Sequence, residues 1–208
     1  MDPGLIIIII ILLFSAILHE IAHGAMALAL GDPTAKLSGR LSLNPLNHID
    51  PFGTILLPIV LAMLNLPPVG YAKPVPINPI FFSDKKYGAA KVALAGPGIN
   101  LLIALVFGLL LRIFGNLNFS FADGLNLAFV YIITINLMLA IFNLMPIPPL
   151  DGHHILFALL PDSAYGFKRA LVQYQWFFII PLLYIYPYIA WPILNFLFHL
   201  ITGFNLPV

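Results

Sequence analysis

Residues 5–30 read LIIIIIILLFSAILHEIAHGAMALAL, an apolar run interrupted by one serine and one polar motif. The run exceeds the roughly 20 apolar residues that an α-helix needs to cross a bilayer. It therefore predicts a transmembrane helix with His19, Glu20 and His23 inside it. A carboxylate in such a helix is costly and by default marks a functional site.

The composition of the whole chain agrees with this prediction. Of its 208 residues, 61% are hydrophobic and 8% are charged, whereas soluble domains carry about 25% charged residues. The chain has no cysteine, which excludes disulfides and thiolate metal ligands. Basic residues do not cluster with aromatic ones outside the predicted membrane edges, so we expect no nucleic-acid partner. We predict an all-α polytopic membrane protein with one membrane-embedded domain over residues 1–208.

Apolar segments long enough to enter a membrane recur along the chain and predict about 5–6 transmembrane helices. They cover residues 4–30, 51–66, 88–114, 122–147 and 170–205. We assign the core to residues 4–152 and further spans to 170–205.

Segment 51–66 is marginal in length, at about 16 residues, and contains prolines. If it re-enters the membrane without crossing, the polar stretches 31–50 and 70–91 share one side. That side then holds eight of the nine Lys and Arg residues, all except Arg112. The positive-inside rule favours this arrangement and makes that side cytoplasmic.

Two segments allow more than one structure. Residues 35–44 alternate apolar and polar side chains, a period typical of a strand, which predicts a short β-hairpin at the membrane edge. An ordinary surface loop is the alternative. The tail 170–205 contains Pro181, Pro187 and Pro192 and is too long for one span. It forms either a proline-turned hairpin or one span with an interfacial segment.

The polar motif of the first span has the spacing of a zinc site. On a helix, His19 and His23 lie one turn apart on one face, where both can bind Zn²⁺ while Glu20 acts as a base. A catalytic zinc usually has three protein ligands, so a third donor must come from elsewhere in the chain.

Asp151 is the strongest candidate for the third ligand. It follows a proline-rich break, Pro146-Ile147-Pro148-Pro149-Leu150, and precedes Gly152, which permits close backbone approach. The residues alone equally allow another role for Asp151, as the N-cap of a helix that begins at Gly152.

The motifs taken in order resemble those of the site-2 protease family of intramembrane zinc metalloproteases. They are the first-span motif His19-Glu20-x-x-His23, the later Asn143-x-x-Pro146-x-Pro148-x-Leu150-Asp151-Gly152, the run 95–100 (Ala-Gly-Pro-Gly-Ile-Asn) and the run 71–79. The resemblance is to the minimal prokaryotic type, which lacks a PDZ or CBS domain.

The resemblance implies cleavage of a transmembrane or membrane-proximal peptide within the bilayer. His19, His23 and Asp151 would bind one Zn²⁺ per chain, Glu20 would serve as the general base, and Asn143 would hold the substrate. The partners would be a transmembrane protein substrate and the lipid bilayer. The location would be a prokaryotic cell membrane, with the active site toward the cytoplasmic side.

Other readings remain for several residues and for the function. We expect His48, His153 and His154 at solvated surfaces, and we expect Gly96, Gly98 and Asn100 to serve helix packing more than chemistry. A di-iron oxidase would need more histidines than the six present. A metal transporter would need polar residues along several spans, and an inactive chaperone relative would not need the intact motif.

Overall fold

The computed structural model describes residues 3–50, 73–115 and 122–206, together with Leu56, Val60 and Met63. The three continuous ranges contain seven α-helices. They are α1 (Pro3–Ala29), α2 (Thr34–Leu37), α3 (Gly88–Phe114), α4 (Ala122–Asn143), α5 (Gly152–Leu159), α6 (Tyr165–Gln173) and α7 (Gln175–Thr202). Short 3₁₀ turns cover Pro45–Asn47, Pro79–Phe81 and Asp162–Ala164.

Four of these helices, α1, α3, α4 and α7, are long and apolar enough to cross a membrane. Helix α3 packs against the other three. The core between α3, α4 and α7 includes Ala104, Ile133, Leu137 and Phe198, which are wholly buried. The chain is therefore a multi-pass, helical membrane protein.

The number of membrane-crossing helices in the described ranges is lower than the predicted total. The prediction of about 5–6 spans relied on segment 51–66 and on two spans in the tail. Segment 51–66 lies outside the described residues except for Leu56, Val60 and Met63.

The tail forms one continuous spanning helix, α7, which runs through Pro181, Pro187 and Pro192. The structure agrees with the alternative of one span in 170–205 and not with the proline-turned hairpin. Proline within a membrane helix is tolerated because neighbouring groups satisfy the freed carbonyls.

The predicted β-hairpin at 35–44 is also wrong, because this stretch contains no strand. Helix α2 covers the start of this stretch and ends at Leu37, and Gly39, two residues beyond, has a φ of +66°. The Gly39 N–H donates to Lys36 O and the Arg40 N–H to Ala35 O, the two bonds of a Schellman C-cap. A left-handed glycine at this position ends a helix, so the alternation of side chains does not extend into a strand.

The two polar stretches on either side of segment 51–66 meet at one end of the bundle, as predicted. The Lys73 N–H donates to His48 O at 2.9 Å, and the Ser83 N–H donates to Leu30 O at 2.8 Å. The C-terminal end of α1 and the N-terminal end of α3 therefore lie at the same end of the protein.

Candidate active site

Helix α1 brings the two motif histidines together on one face in its C-terminal half. His19 and His23 are each only 7% exposed. Their Nε2 atoms are 3.0 Å apart, as the spacing of one helical turn requires. The pair is therefore buried and directed at a single point.

Asp151 reaches the same point from a distant part of the chain. Its Oδ2 lies 3.1 Å from His19 Nε2 and 3.3 Å from His23 Nε2. Although Asp151 occupies the N-cap position of α5, its side chain makes no capping hydrogen bond. Of the two roles that the residues allowed, the structure therefore favours the ligand over the cap.

The loop before Asp151 folds back tightly. A Cβ on Gly152 would lie 2.2 Å from Leu144 O, so only glycine fits there. Burial raises the pKa of the Asp151 carboxyl, but the hydrogen bonds to His19 and His23 lower it, leaving a pKa of about 2. The carboxylate is thus ionised, the form that binds metals.

The Nδ1 atom of each histidine has its own hydrogen-bond acceptor. His19 Nδ1 lies 2.6 Å from Asn100 Oδ1, and His23 Nδ1 lies 2.7 Å from the Val92 carbonyl oxygen. Each Nδ1 therefore carries a proton and donates it, so Nε2, which faces the Asp151 carboxylate, is the atom of each ring that would release its proton on binding a metal. The acceptors on α3 thus set the tautomer of both rings.

Asn100 belongs to a buried polar chain inside the helix bundle. Its Nδ2 donates to Asn136 Oδ1 at 2.8 Å, and Asn136 Nδ2 donates to Ser15 Oγ at 2.9 Å. Both asparagines are 0% exposed. The expectation from sequence is that Asn100 serves packing, and it includes no role for Asn136 or Ser15. Their buried polar side chains in apolar helices were the available signal.

Gly96 provides space directly beside the two histidines. A Cβ at this position would lie 2.5 Å from the Nε2 atoms of both His19 and His23. Gly96 was also expected to serve packing. Its lack of a side chain instead keeps clear the region toward which the ligand atoms point.

The donor atoms present fit a zinc ion. In tetrahedral sites with bonds of about 2.0–2.1 Å, donors are about 3.3–3.4 Å apart. The three separations here are 3.0, 3.1 and 3.3 Å. Within the described residues, His19, His23 and Asp151 form the one group of this kind. Two neutral imidazoles and one carboxylate are a usual catalytic zinc ligand set.

Glu20 and Asn143 line the cavity that also contains His19, His23 and Asp151. This cavity has a volume of about 400 Å³. Glu20 Oε2 accepts a hydrogen bond of 2.8 Å from the Val75 main-chain N–H. Asn143 Nδ2 donates to Leu139 O in its own helix. The remaining wall is largely apolar and includes Ile77 and Phe82.

The other histidines differ from expectation. His48 is 1% exposed and donates to Ser42 O, and His153 is 8% exposed, with Nδ1 bonded to Leu150 O. Both are buried rather than solvated, and a loop carbonyl accepts a hydrogen bond from one ring nitrogen of each. His154 is exposed, as expected, and lines the cavity.

Comparison with known proteins agrees with this chemistry. The model of peptidase family M50 matches residues 7–183. Several relatives carry the name "Putative zinc metalloprotease". YwhC of Bacillus subtilis (strain 168) is 37% identical over 195 residues, which cover 90% of this chain and 85% of that protein. Rip2 of Mycolicibacterium smegmatis is 32% identical over 81% of this chain and 62% of its own length.

A third relative, MJ0611 of Methanocaldococcus jannaschii, is 42% identical over 66 residues, 32% of each chain. No solved structure matches this chain. The family model covers most of the chain, and YwhC is matched over most of its own length. The chain therefore belongs to peptidase family M50, the site-2 protease family, and is a metalloprotease.

Proposed function

We propose that this metalloprotease is an endopeptidase that cleaves transmembrane or membrane-proximal peptide bonds within the bilayer. The observation that carries the proposal is the convergence of His19, His23 and Asp151 beside Glu20, in a cavity bordered by membrane-crossing helices. In this proposal His19, His23 and Asp151 hold one Zn²⁺ per chain.

The residues around the cavity divide the chemistry between them. A bound zinc ion lowers the pKa of water to about 7 and polarises the scissile carbonyl. Glu20 accepts the proton of the attacking water and passes it to the leaving amine. Asn143, on the wall of the cavity, holds the substrate backbone. Asn100 and Val92 keep the histidine rings in the tautomer that binds metal.

The depth of the site supports cleavage within the membrane. At about 1.5 Å per residue, His19 and His23 lie about 21–27 Å along α1 from Leu5. This is the half of the helix nearest the end where the polar stretches meet. Because those stretches carry most of the Lys and Arg residues, we assign that end to the cytoplasmic face of a prokaryotic cell membrane.

The substrate in this proposal is a transmembrane protein. Its carbonyls are locked in helical hydrogen bonds, so a segment must unwind before it enters the cavity. The irregular backbone of residues 144–151 borders the cavity through Pro149 and Asp151. Such backbone is compatible with an unwound peptide, because its main-chain groups lie outside any helix.

The test is cleavage of a tagged single-span substrate by purified protein in proteoliposomes, with zinc content measured on the same samples. Wild type should cleave within the span and contain zinc. Glu20→Gln should retain zinc and lose cleavage, because glutamine cannot accept the proton. Cleavage by a folded Glu20→Gln protein would refute the assigned base, and cleavage confined to soluble peptides would refute the intramembrane site.

A further inference from the structure

An extended segment of the chain passes next to Glu20, the proposed general base. Residues 73–78, here called the strap, contain no helix or strand. The Val75 main-chain N–H in the strap donates to Glu20 Oε2 at 2.8 Å. Val75 is 6% exposed and Glu20 is half-buried, so this bond to an ionisable side chain is partly shielded from water.

The Val75 side chain packs against Gly24 of α1, in a socket also bordered by Ala35 and Leu41. A Cβ on Gly24 would lie 3.0 Å from Val75 Cγ1 and 3.0 Å from Ala35 Cβ, and closer still to Leu41. The bare surface of Gly24, one turn beyond Glu20, therefore lets the Val75 side chain approach the helix. The contact places the Val75 amide next to the Glu20 carboxylate.

The strap is fastened on both sides of Val75. Arg40 Nη2 donates to Lys73 O at 2.7 Å and to Pro74 O at 3.0 Å. Farther along, the Asn78 N–H donates to Asp32 Oδ2 at 2.6 Å. Arg40 and Asp32 are both buried. Hydrogen bonds to charged groups are stronger than neutral ones, so the strap is held at two points to the segment that follows α1.

The sequence of the strap excludes a register shift of one residue. Residues 74–76 are Pro-Val-Pro, and proline has no main-chain N–H. Val75 is thus the single main-chain donor among these three residues. A shift of one residue in either direction would present a proline to Glu20 and lose the bond.

We propose that the Val75 main-chain N–H is a positioning group for Glu20. It binds Oε2 and thereby fixes the carboxylate rotamer, with Oε1 left to accept the proton of water. The inference rests on the proposed function, in which Glu20 is the base. A base held in one geometry avoids the loss of rate that follows from small displacements of a catalytic group.

The first test compares Val75→Pro with Val75→Ala. Val75→Pro removes the N–H and keeps a side chain of similar size, and Pro76 already confines residue 75 to the extended backbone that proline adopts. Val75→Ala keeps the N–H and removes packing from the socket. We expect Val75→Pro to have the lower kcat, by about tenfold or more, and Val75→Ala to have the lower Tm. Zinc content should equal that of wild type in both.

A second variant covers the case in which Val75→Pro does not fold. Replacing Val75 by its α-hydroxy acid converts the amide to an ester, which removes the N–H and retains the valine side chain. This variant should lose kcat to the same extent as Val75→Pro, with KM changed little. A kcat equal to that of wild type in the zinc-loaded ester variant would overturn the proposal.

A double-mutant cycle tests the bond without using activity. Glu20→Gln replaces the charged acceptor by a neutral one, so removal of the Val75 N–H should lower Tm less in the Glu20→Gln protein than in wild type. Equal shifts in both backgrounds would overturn the proposal. The proposed function fails separately, if wild type does not cleave or Glu20→Gln does.

Discussion

His19 Nδ1 donates a hydrogen bond of 2.6 Å to Asn100 Oδ1 in the interior of the helix bundle. The two residues are 81 positions apart and belong to different membrane-crossing helices. The bond orients one imidazole of the proposed zinc site through a side chain that does not line the cavity. Partners of this kind change metal affinity by about 10–100-fold when they are removed.

We therefore expect Asn100→Leu to weaken zinc binding about 10–100-fold. Leucine keeps the approximate volume but leaves His19 Nδ1 and Asn136 without their partner. Competition with a chelator measures the affinity. Asn126→Leu is the matched control, because Asn126 bonds to Gly115 O at the other end of the bundle. Wild-type zinc affinity in folded Asn100→Leu would contradict the assigned role.

Gly96→Ala should abolish zinc binding. The added methyl group would lie 2.5 Å from both histidine Nε2 atoms, so the rings or α3 must move. The control is Gly98→Ala in the same helix, where nothing lies within 4 Å of the added Cβ. Metal analysis of the two purified proteins measures the zinc content of each variant. If Gly96→Ala holds as much zinc as Gly98→Ala, the predicted obstruction of the site is wrong.

Asp151→Ala should lower zinc content strongly, since two histidines make only half of a tetrahedral site. Asp162→Ala serves as the control, because Asp162 lies in a 3₁₀ turn outside the ligand group. Unchanged zinc in the Asp151 variant would remove this residue from the ligand set. Thermal unfolding with and without a chelator should show zinc stabilisation in the control alone.

The stability of the strap attachment should depend on pH through Asp32. Burial raises the pKa of the Asp32 carboxyl, but the hydrogen bonds from Thr34 and Asn78 outweigh it, and the pKa lies below its usual value. A lowered folded-state pKa contributes stability above the unfolded pKa of about 3.9, and this contribution is lost as pH falls through the folded-state pKa.

Asp32→Asn should therefore lower Tm most near neutral pH, and its difference from wild type should shrink below about pH 4. The expected cost near neutrality is about 1–3 kcal/mol of unfolding free energy, because the variant weakens bonds within a buried group. Thermal unfolding across a pH series measures it. A difference independent of pH would show that Asp32 acts only by packing.

The helix-forming runs and the His19-Glu20-x-x-His23 spacing could be recognised without coordinates, because membrane helices need long apolar segments and a helical turn places residues i and i+4 on one face. Asp151 could be nominated from its proline-rich surroundings, yet its residues alone allowed a helix cap just as well. Alternation at 35–44 misled because Gly39 adopts a left-handed conformation and ends α2, which outweighs the strand-like period.

Local patterns in the chain were thus enough to identify the class of protein, the histidine pair and its neighbouring carboxylate. The approach of Asp151 to that pair, the Asn100–Asn136–Ser15 chain and the bond from Val75 to Glu20 depend on how distant segments pack. Every residue except proline has a main-chain N–H, so the residue type does not show which of these groups bonds to a distant side chain. Hydrogen bonds between helices depend on the register in which those helices meet, and this register follows from the packing of the whole bundle.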